Sequence, residues 1–390
     1  METVQLYKQN AYQKQFYATV VECNPMQEEY GIVLDQTAFF PEGGGQYGDR
    51  GYLNEIEVFD TQIKEGIIFH KTKEPLEVGM VVEGKIDWER RYGFMQNHSA
   101  EHMMSGLIHN IYGYDNVGFH LGEEIMTLDV SGMLSMEQLL DLETKLNDKI
   151  WENILIEESY PTKEEEQHLQ YRSKKEVEGE LRIVTVEGVD CCACCAPHVR
   201  STGEIGIAKV ISVQKNKEGV RVTMLAGKRA FLDYQKKQGE IAKIQKLLSV
   251  QAQQAASAVQ KLQEEKQNLE YEVSNLKLQL LQKQADEIVP QYGIACMETN
   301  NLSSKEIREL CNFLIEKGLI GAVLNQNDGK EEKQYTIGSK TIDVRQAAMK
   351  VKESLNGRGG GSAQMVQGTI RGTKEELLQC IKYLGEKRNE

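Results

Sequence analysis

The spacing of apolar positions divides this chain into four parts. Up to about residue 84, short apolar runs such as Tyr30 to Leu34 and Gly66 to His70 alternate with Gly, Asp and Pro, which punctuate strands. The expectation for residues 1–88 is a β-rich, barrel-like subdomain. Residues 89–230 mix helix and strand periods. Nothing breaks a helix around His98-Ser99-Ala100-Glu101-His102-Met103-Met104, and Leu107 and Ile108 continue its apolar face. Leu139, Leu142, Leu146 and Ile150 place a second helix between Met136 and Ile154, and Ile205 to Val213 reads as a strand. The fold class is therefore α+β.

From about Asp233 to Glu287 there is no proline and, after Gly239, no glycine. Ile241, Leu248, Ala255, Leu262, Leu269 and Leu276 share one heptad position, and Ala252, Val259, Val273 and Leu280 the other, with Gln245 and Lys266 interrupting the second series. This frame predicts a coiled-coil helix over 231–289; unbroken from 241 to 280 it would be a rod of roughly 60 Å. The frame leaves open whether the rod pairs with a second copy or folds back, although no second heptad run offers an internal partner. Beyond Pro290, residues 290–390 read as a small α/β module. Its apolar stretches lie at Gly293 to Met297 and Ala322 to Leu324, and its helices at Ser304 to Lys317, Val344 to Leu355 and Lys374 to Leu384. Between the last two helices, Arg358-Gly359-Gly360-Gly361 offers either a phosphate cradle or a tight turn.

Charge narrows the partners. With 59 Asp+Glu against 46 Lys+Arg, the net charge is −13, and 40% of residues are hydrophobic. That is globular composition and weakly against a strong nonspecific nucleic-acid binder. The acidic excess falls ahead of residue 231, so a polyanion would have to be gripped locally, by the tail. No apolar run approaches the roughly 20 residues of a membrane span, and Met1 to Asn10 carries no apolar secretory core. The expected location is the cytoplasm. Of the 8 cysteines, Cys191, Cys192, Cys194 and Cys195 crowd together; in a reducing compartment such a cluster binds metal or is redox-active. Cys23, Cys296, Cys311 and Cys380 stand apart and read as small hydrophobes.

The candidate chemistry lies in two pairs. His98 and His102 are four apart on a helix and project from one face, and Cys194 and His198 repeat the spacing. Three nitrogens and one sulfur suit a single zinc ion. Ser99 stands where a metalloprotease helix needs Glu, which excludes that class. Cys191-x-x-Cys194 and Cys192-x-x-Cys195 offer a structural zinc knuckle or a redox pair instead, but leave the histidines without a role. His70, His109 and His168 read as structural or surface residues. The run Phe39-Phe40-Pro41-Glu42-Gly43-Gly44-Gly45-Gln46 is either a ligand-hugging loop or a flexible one.

The ordered set Thr37-x-Phe39-Phe40-Pro41-x-Gly43-Gly44-Gly45-Gln46, His98-x-x-x-His102, and Cys194-x-x-x-His198 followed by Thr202-Gly203-Glu204-Ile205-Gly206 resembles the editing domain of alanyl-tRNA synthetase and the free-standing AlaX proteins. The heptad rod and the Gly-Arg-Gly-Gly-Gly tail with Gln364-Met365 resemble the DHHA1 region of the same synthetases. The resemblance implies a long-form AlaX-type editing protein. It would have one Zn²⁺ per chain on His98, His102, Cys194 and His198, and Thr37 and Gln46 as catalytic-pocket residues, Thr37 bonding a seryl hydroxyl. Gly43, Gly44, Gly45 and His120 would contact substrate. Arg358, Gly359, Gly360 and Gly361 would bind tRNA within a C-terminal tRNA-binding or dimerisation domain.

The glycine motif begins within forty-odd residues of Met1, so the expectation is a trans-acting hydrolase and not a synthetase. It would deacylate mischarged tRNA(Ala), chiefly seryl, with glycyl the open second case; a homodimer through the rod or the tail is the expected assembly. Two other readings stand beside it, a zinc hydrolase of another ester and a noncatalytic RNA-binding adaptor with structural zinc. One departure is visible: the family often has Cys-Gly-Gly-Thr-His where this chain reads Cys194-Cys195-Ala196-Pro197-His198. Pro197 removes an N–H, and the side chains narrow the loop.

Overall fold

The computed structural model describes residues 3–173, 181–217 and 219–386. The chain forms two compact units, Met1–Lys243 and Ile244–Glu390. Along the barrel strand β1 (Gln15–Met26), Phe16, Ala18 and Val20 turn inward while Gln15 and Tyr17 face out, the period-2 pattern of a half-buried strand. With β2 (Glu29–Leu34), β3 (Gly51–Leu53), β4 (Ile56–Lys64), β5 (Ile67–Thr72) and β6 (Val81–Ile86) it closes an antiparallel barrel in the order β1-β2-β5-β4-β3-β6. Phe16, Ile32, Leu34, Phe39, Leu53, Val58 and Val82 fill it.

Helix α1 (Trp88–Tyr112) follows. Asp87 caps it by accepting from the Arg90 N–H at 3.1 Å, and Gly113, at φ 69°, ends it in the left-handed conformation. Arg91 ties this helix to the barrel. Its side chain and that of Asp49 are fully buried and paired, and its guanidinium also donates to the carbonyls of Ala38 (2.7 Å) and Ala11 (3.0 Å). Asp49 in turn accepts from the Phe40 N–H at 2.6 Å, so the loop after Phe40 is hung from α1.

The rest of the first unit is laid down by β7 (Asn116–Leu121), β8 (Met126–Val130), α2 (Met136–Trp151), β9 (Ile156–Ser159), β10 (Ile183–Val186), β11 (Asp190–Ala193), β12 (Ala208–Asn216) and β13 (Gly219–Ala226). One antiparallel sheet runs β12-β13-β8-β7 and a smaller one β9-β10-β11. Helix α2 begins with a capping box between Ser135 and Gln138 and buries Leu139, Leu142, Leu146 and Ile150 in the same core as Met103, Met104 and Ile108 of α1.

Where one continuous rod was expected, the helix is interrupted. Helix α3 (Gly227–Leu248) stops, Ser249 takes φ 54°, and α4 (Ala255–Asp286) restarts after a short 3₁₀ turn that Gln251 and Gln254 cap. The core positions at the break are Leu248, Ala252 and Ala255, too small a set to hold a straight helix through a serine that favours turns. Along α4, Val259, Leu262, Leu269, Val273, Leu276 and Leu280 are between 41% and 60% exposed.

The second unit is built on β14 (Ile294–Asn300), α5 (Ser304–Ile315), β15 (Ile320–Gln326), β16 (Lys333–Gly338), α6 (Arg345–Leu355), β17 (Arg358–Gly361), β18 (Met365–Ile370) and α7 (Lys374–Glu386). Its sheet order is β14-β15-β16-β18-β17, parallel only between β14 and β15. One face packs on Ile307, Leu310 and Leu314 of α5 with Leu281 and Ala285 of α4; the other on Ala347 and Val351 of α6 and Leu377 and Ile381 of α7. The glycine run Arg358–Gly361 is not a tight turn but the edge strand of this sheet, exposed throughout. A Cβ on Gly359 would lie 2.3 Å from the Gln367 carbonyl oxygen, so glycine permits the close strand approach.

Candidate metal centre

Helix α1 carries His98 and His102 on one buried face, and the loop after β11 brings Cys194 and His198 against them. One ligating atom from each of the four lies within 4.8 Å of the others. The ring centroids of His98, His102 and His198 are 4.6 to 5.2 Å apart, and Cys194 Sγ is 3.7 Å from His98 Nε2 and 3.4 Å from His198 Nε2. Nitrogen and sulfur ligands around a tetrahedral zinc ion, at about 2.05 and 2.3 Å from it, lie about 3.6 Å apart. The donor set and its spacing therefore fit such an ion.

A different partner stands behind each imidazole, the arrangement usual around metal-ligating histidines. His98 Nδ1 lies 2.9 Å from Gln46 Oε1 and His198 Nδ1 3.0 Å from Ser99 Oγ. His102 Nδ1 lies 3.3 Å from Asp190 Oδ2, and Arg172 grips that carboxylate with two hydrogen bonds, at 2.7 and 2.9 Å. Electrostatics point the same way. Burial raises the Cys194 thiol, but the surrounding imidazoles of His98, His102 and His198 outweigh it and hold the group well below the usual thiol range. Burial lowers His102, yet the Cys194 thiolate and Asp190 together hold it well above the usual imidazole range. Burial brings His198 down to about 3. That direction favours the thiolate, the form in which a cysteine ligates a metal.

The glycine loop lies beside this cluster. Gly45 has φ 85°, its carbonyl accepts from the Leu121 N–H at 2.8 Å, and a Cβ there would come 2.6 Å from the Phe119 carbonyl oxygen. Phe119 lies against His98, with centroids 4.9 Å apart. Gln46 is fully buried, and its Nε2 has no hydrogen-bond partner among the described residues. The loop from Cys194 to His198 is held through its backbone: Arg182 donates to the carbonyls of Cys194 (2.8 Å) and Ala196 (2.9 Å). Ala196 is buried with Tyr7, Phe40 and Ile68, and Cys195 is exposed, its sulfur 3.9 Å from where a Gly44 Cβ would stand.

Not every candidate converges. Gln46 and the glycine loop meet the cluster, whereas His120 is exposed and edge-on to Tyr47, because residues 119 and 120 point to opposite faces of β7. Thr37 is buried and bonded to His70 at 2.7 Å. Arg358 to Gly361 belong to the second unit. The sequence reading missed Asp190, Ser99, Arg172 and Arg182, which no spacing singles out. His109 lies 3.0 Å from Asp115 on the surface.

A family model described as tRNA synthetases class II (A) matches residues 3–90, and one described as Threonyl and Alanyl tRNA synthetase second additional domain matches residues 181–222, the stretch with Cys194 and His198. The Alanyl-tRNA editing protein Aarsd1 of Rattus norvegicus is 27% identical, over 93% of this chain and 93% of its own. The Alanyl-tRNA editing protein AlaX-L of Pyrococcus horikoshii is 28% identical, over 96% of each chain. The alanine–tRNA ligase of Ignicoccus hospitalis is 28% identical over 99% of this chain but only 43% of its own length.

Proposed function

From a chain homologous along nearly its whole length to alanyl-tRNA editing proteins, we propose that it edits tRNA(Ala) by hydrolysing the ester of the mischarged form, chiefly seryl, with glycyl the second substrate to test. The observation that carries this reading is the convergence of His98, His102, Cys194 and His198 beside the glycine loop. When bound there, zinc supplies Lewis acidity, able to bring a coordinated water from a pKa of 15.7 toward about 7 or to polarise a carbonyl.

The chain's own residues do the rest. Gln46 orients His98 with its oxygen and keeps a buried N–H donor free. Such a donor left unpaired costs about 1–3 kcal/mol, and a substrate carbonyl in the pocket would satisfy it. Gly45 lets the loop lie against β7 without a side chain in the way. Thr37 offers its hydroxyl to the seryl group, and a site built to bond a hydroxyl rejects the analogue lacking one, which spares alanine. The exposed Arg358-to-Gly361 edge is the proposed tRNA contact, and the apolar stripe of α4 supports pairing of two chains as a coiled coil. Sedimentation of the full chain checks that pairing; a monomer at micromolar concentration contradicts it.

The test is deacylation of seryl-, glycyl- and alanyl-tRNA(Ala) with and without a chelator. Chelator-sensitive release of serine but not alanine is expected, and intact seryl-tRNA after incubation with metal-loaded protein refutes the reading. A second reading has one observation in its favour: four protein donors at tetrahedral spacing describe a closed, structural zinc site, as in a noncatalytic RNA-binding adaptor. That reading expects tRNA binding without turnover.

A further inference from the structure

Two helices begin at the edge of the glycine loop, and each brings an arginine in its first turn: Arg90 on α1 and Arg229 on α3. The unpaired N–H groups of a helix start already carry partial positive charge, so the cations add to it. Both guanidinium carbons stand over the Phe94 ring, 4.5 and 4.9 Å from its centroid. The Arg90 side chain is 8% exposed and donates to the Gly48 carbonyl at 3.2 Å, two residues past Gln46. Arg229 donates at 2.9 Å to the carbonyl of Gly122, which follows the Leu121 bonded to Gly45. Arg50 joins them through Glu123, whose carboxylate pairs with Arg90 and, at 3.1 Å, with Arg50. Burial raises the Glu123 carboxyl, but the hydrogen bond from Arg90 and the charges of Arg90, Arg50 and Arg229 hold it below its usual range. Three cations thus surround one anion. Asp87 caps α1 and Glu89 pairs with Lys228, so neither serves the guanidinium groups. Arg90 Nε is buried without a hydrogen-bond partner, and half-buried Arg229 has no ion pair, among the described residues.

We propose that Arg50, Arg90 and Arg229 clamp a phosphodiester of the single-stranded 3′ end of tRNA, with Glu123 holding the place of the phosphate until RNA displaces it. Guanidinium forks match phosphate oxygens as they match a carboxylate. The Glu123 side chain is 45% exposed, so it can turn into water when a phosphate takes its place. Arg90 and His98 are eight residues apart on α1, about 12 Å at 1.5 Å per residue. An ester held at the histidine–cysteine cluster therefore brings the last phosphates ahead of its ribose within reach of the arginines. The inference rests on the deacylase reading for its ligand and names how that ligand is gripped. The acidic excess ahead of residue 231 conceals it, because net charge sums over a whole unit whereas a clamp is a local inversion of sign.

The test compares seryl-tRNA(Ala) with seryladenosine, the same ester without phosphates, on the full-length, metal-loaded chain. Arg50→Gln and Arg229→Gln should each lower the tRNA-to-adenosine ratio of kcat/KM about three- to tenfold, through KM, the worth of one hydrogen bond at a partly exposed site. In each variant the slope of log kcat/KM against log salt, read on the tRNA, should become shallower by about 1. Glu123→Gln removes the competing carboxylate and should raise the ratio about two- to fivefold. Equal losses on both esters, or a fall of the ratio in Glu123→Gln, would overturn the proposal. If Arg229→Gln fails to fold, Arg50→Gln, at a side chain 50% exposed, decides together with Glu123→Gln. Filter binding of uncharged tRNA(Ala) separates the two claims. Wild-type protein that leaves seryl-tRNA intact removes the deacylase reading; the clamp then stands if Arg50→Gln weakens and Glu123→Gln tightens tRNA binding, and falls otherwise. Wild-type turnover with a ratio that Arg50→Gln does not move removes the clamp alone.

Discussion

Asp190→Ala should loosen the metal far more than Ser99→Ala, although both residues touch a ligating histidine from behind. Asp190 is a buried carboxylate, held below its usual range by His102 and Arg172 against the opposing pull of burial, and it lies 3.3 Å from His102 Nδ1. Loss of such a partner typically weakens metal binding 10- to 100-fold. Ser99 contributes one neutral contact to His198 at 3.0 Å, worth about 0.5–1.5 kcal/mol, or roughly two- to tenfold. Competition against a chromophoric chelator, with metal content read by mass spectrometry, measures both. Asp190→Ala also strands Arg172, so Arg172→Leu serves as the control that separates lost packing from lost orientation. If Ser99→Ala weakens zinc as much as Asp190→Ala, or if Asp190→Ala changes affinity less than twofold, the account of the outer partners is wrong.

Asp49→Ala leaves the Arg91 guanidinium buried without its counter-charge and should destabilise the first unit by about 3–5 kcal/mol, measured by urea denaturation; a loss under about 1 kcal/mol would contradict the role given to this pair. His70 is depressed from 6.5 to about 4 in the folded chain, so the stability it contributes is complete above pH 6.5 and is lost as pH falls toward 4. The loss there is about 3 kcal/mol, and the acid limb of a stability–pH curve should flatten in His70→Phe. Gly45→Ala, at φ 85° and with the Phe119 carbonyl 2.6 Å from the new methyl, should displace the loop from His98. Chelator competition is expected to show weaker zinc binding, and unchanged zinc affinity in a folded variant would contradict the loop's support of His98.

The helix-borne half of the centre was legible because an i, i+4 pair is a local statement: His98 and His102 share a face whatever the rest of the chain does. Helix α2 was legible for the same reason, its four buried leucine and isoleucine positions repeating at helical spacing. What spacing cannot carry is a contact made across the fold. Asp190 and His102 are far apart in sequence, as are Gln46 and His98, and they meet through sheet pairing and barrel closure. The break after Leu248 went unseen because a heptad count records where apolar residues fall and not how much surface each one buries. The Arg358-to-Gly361 strand was hidden because glycine carries no alternating side chain from which a strand period could be read.

Arg182 grasps the peptide oxygens of Cys194 and Ala196 and makes no demand on the three side chains between Cys194 and His198. The scaffold that aims the thiolate is thereby uncoupled from the lining that a ligand would feel. A descendant of this chain can exchange Cys195, the exposed member of the three, while sulfur and imidazole stay where the guanidinium has anchored them.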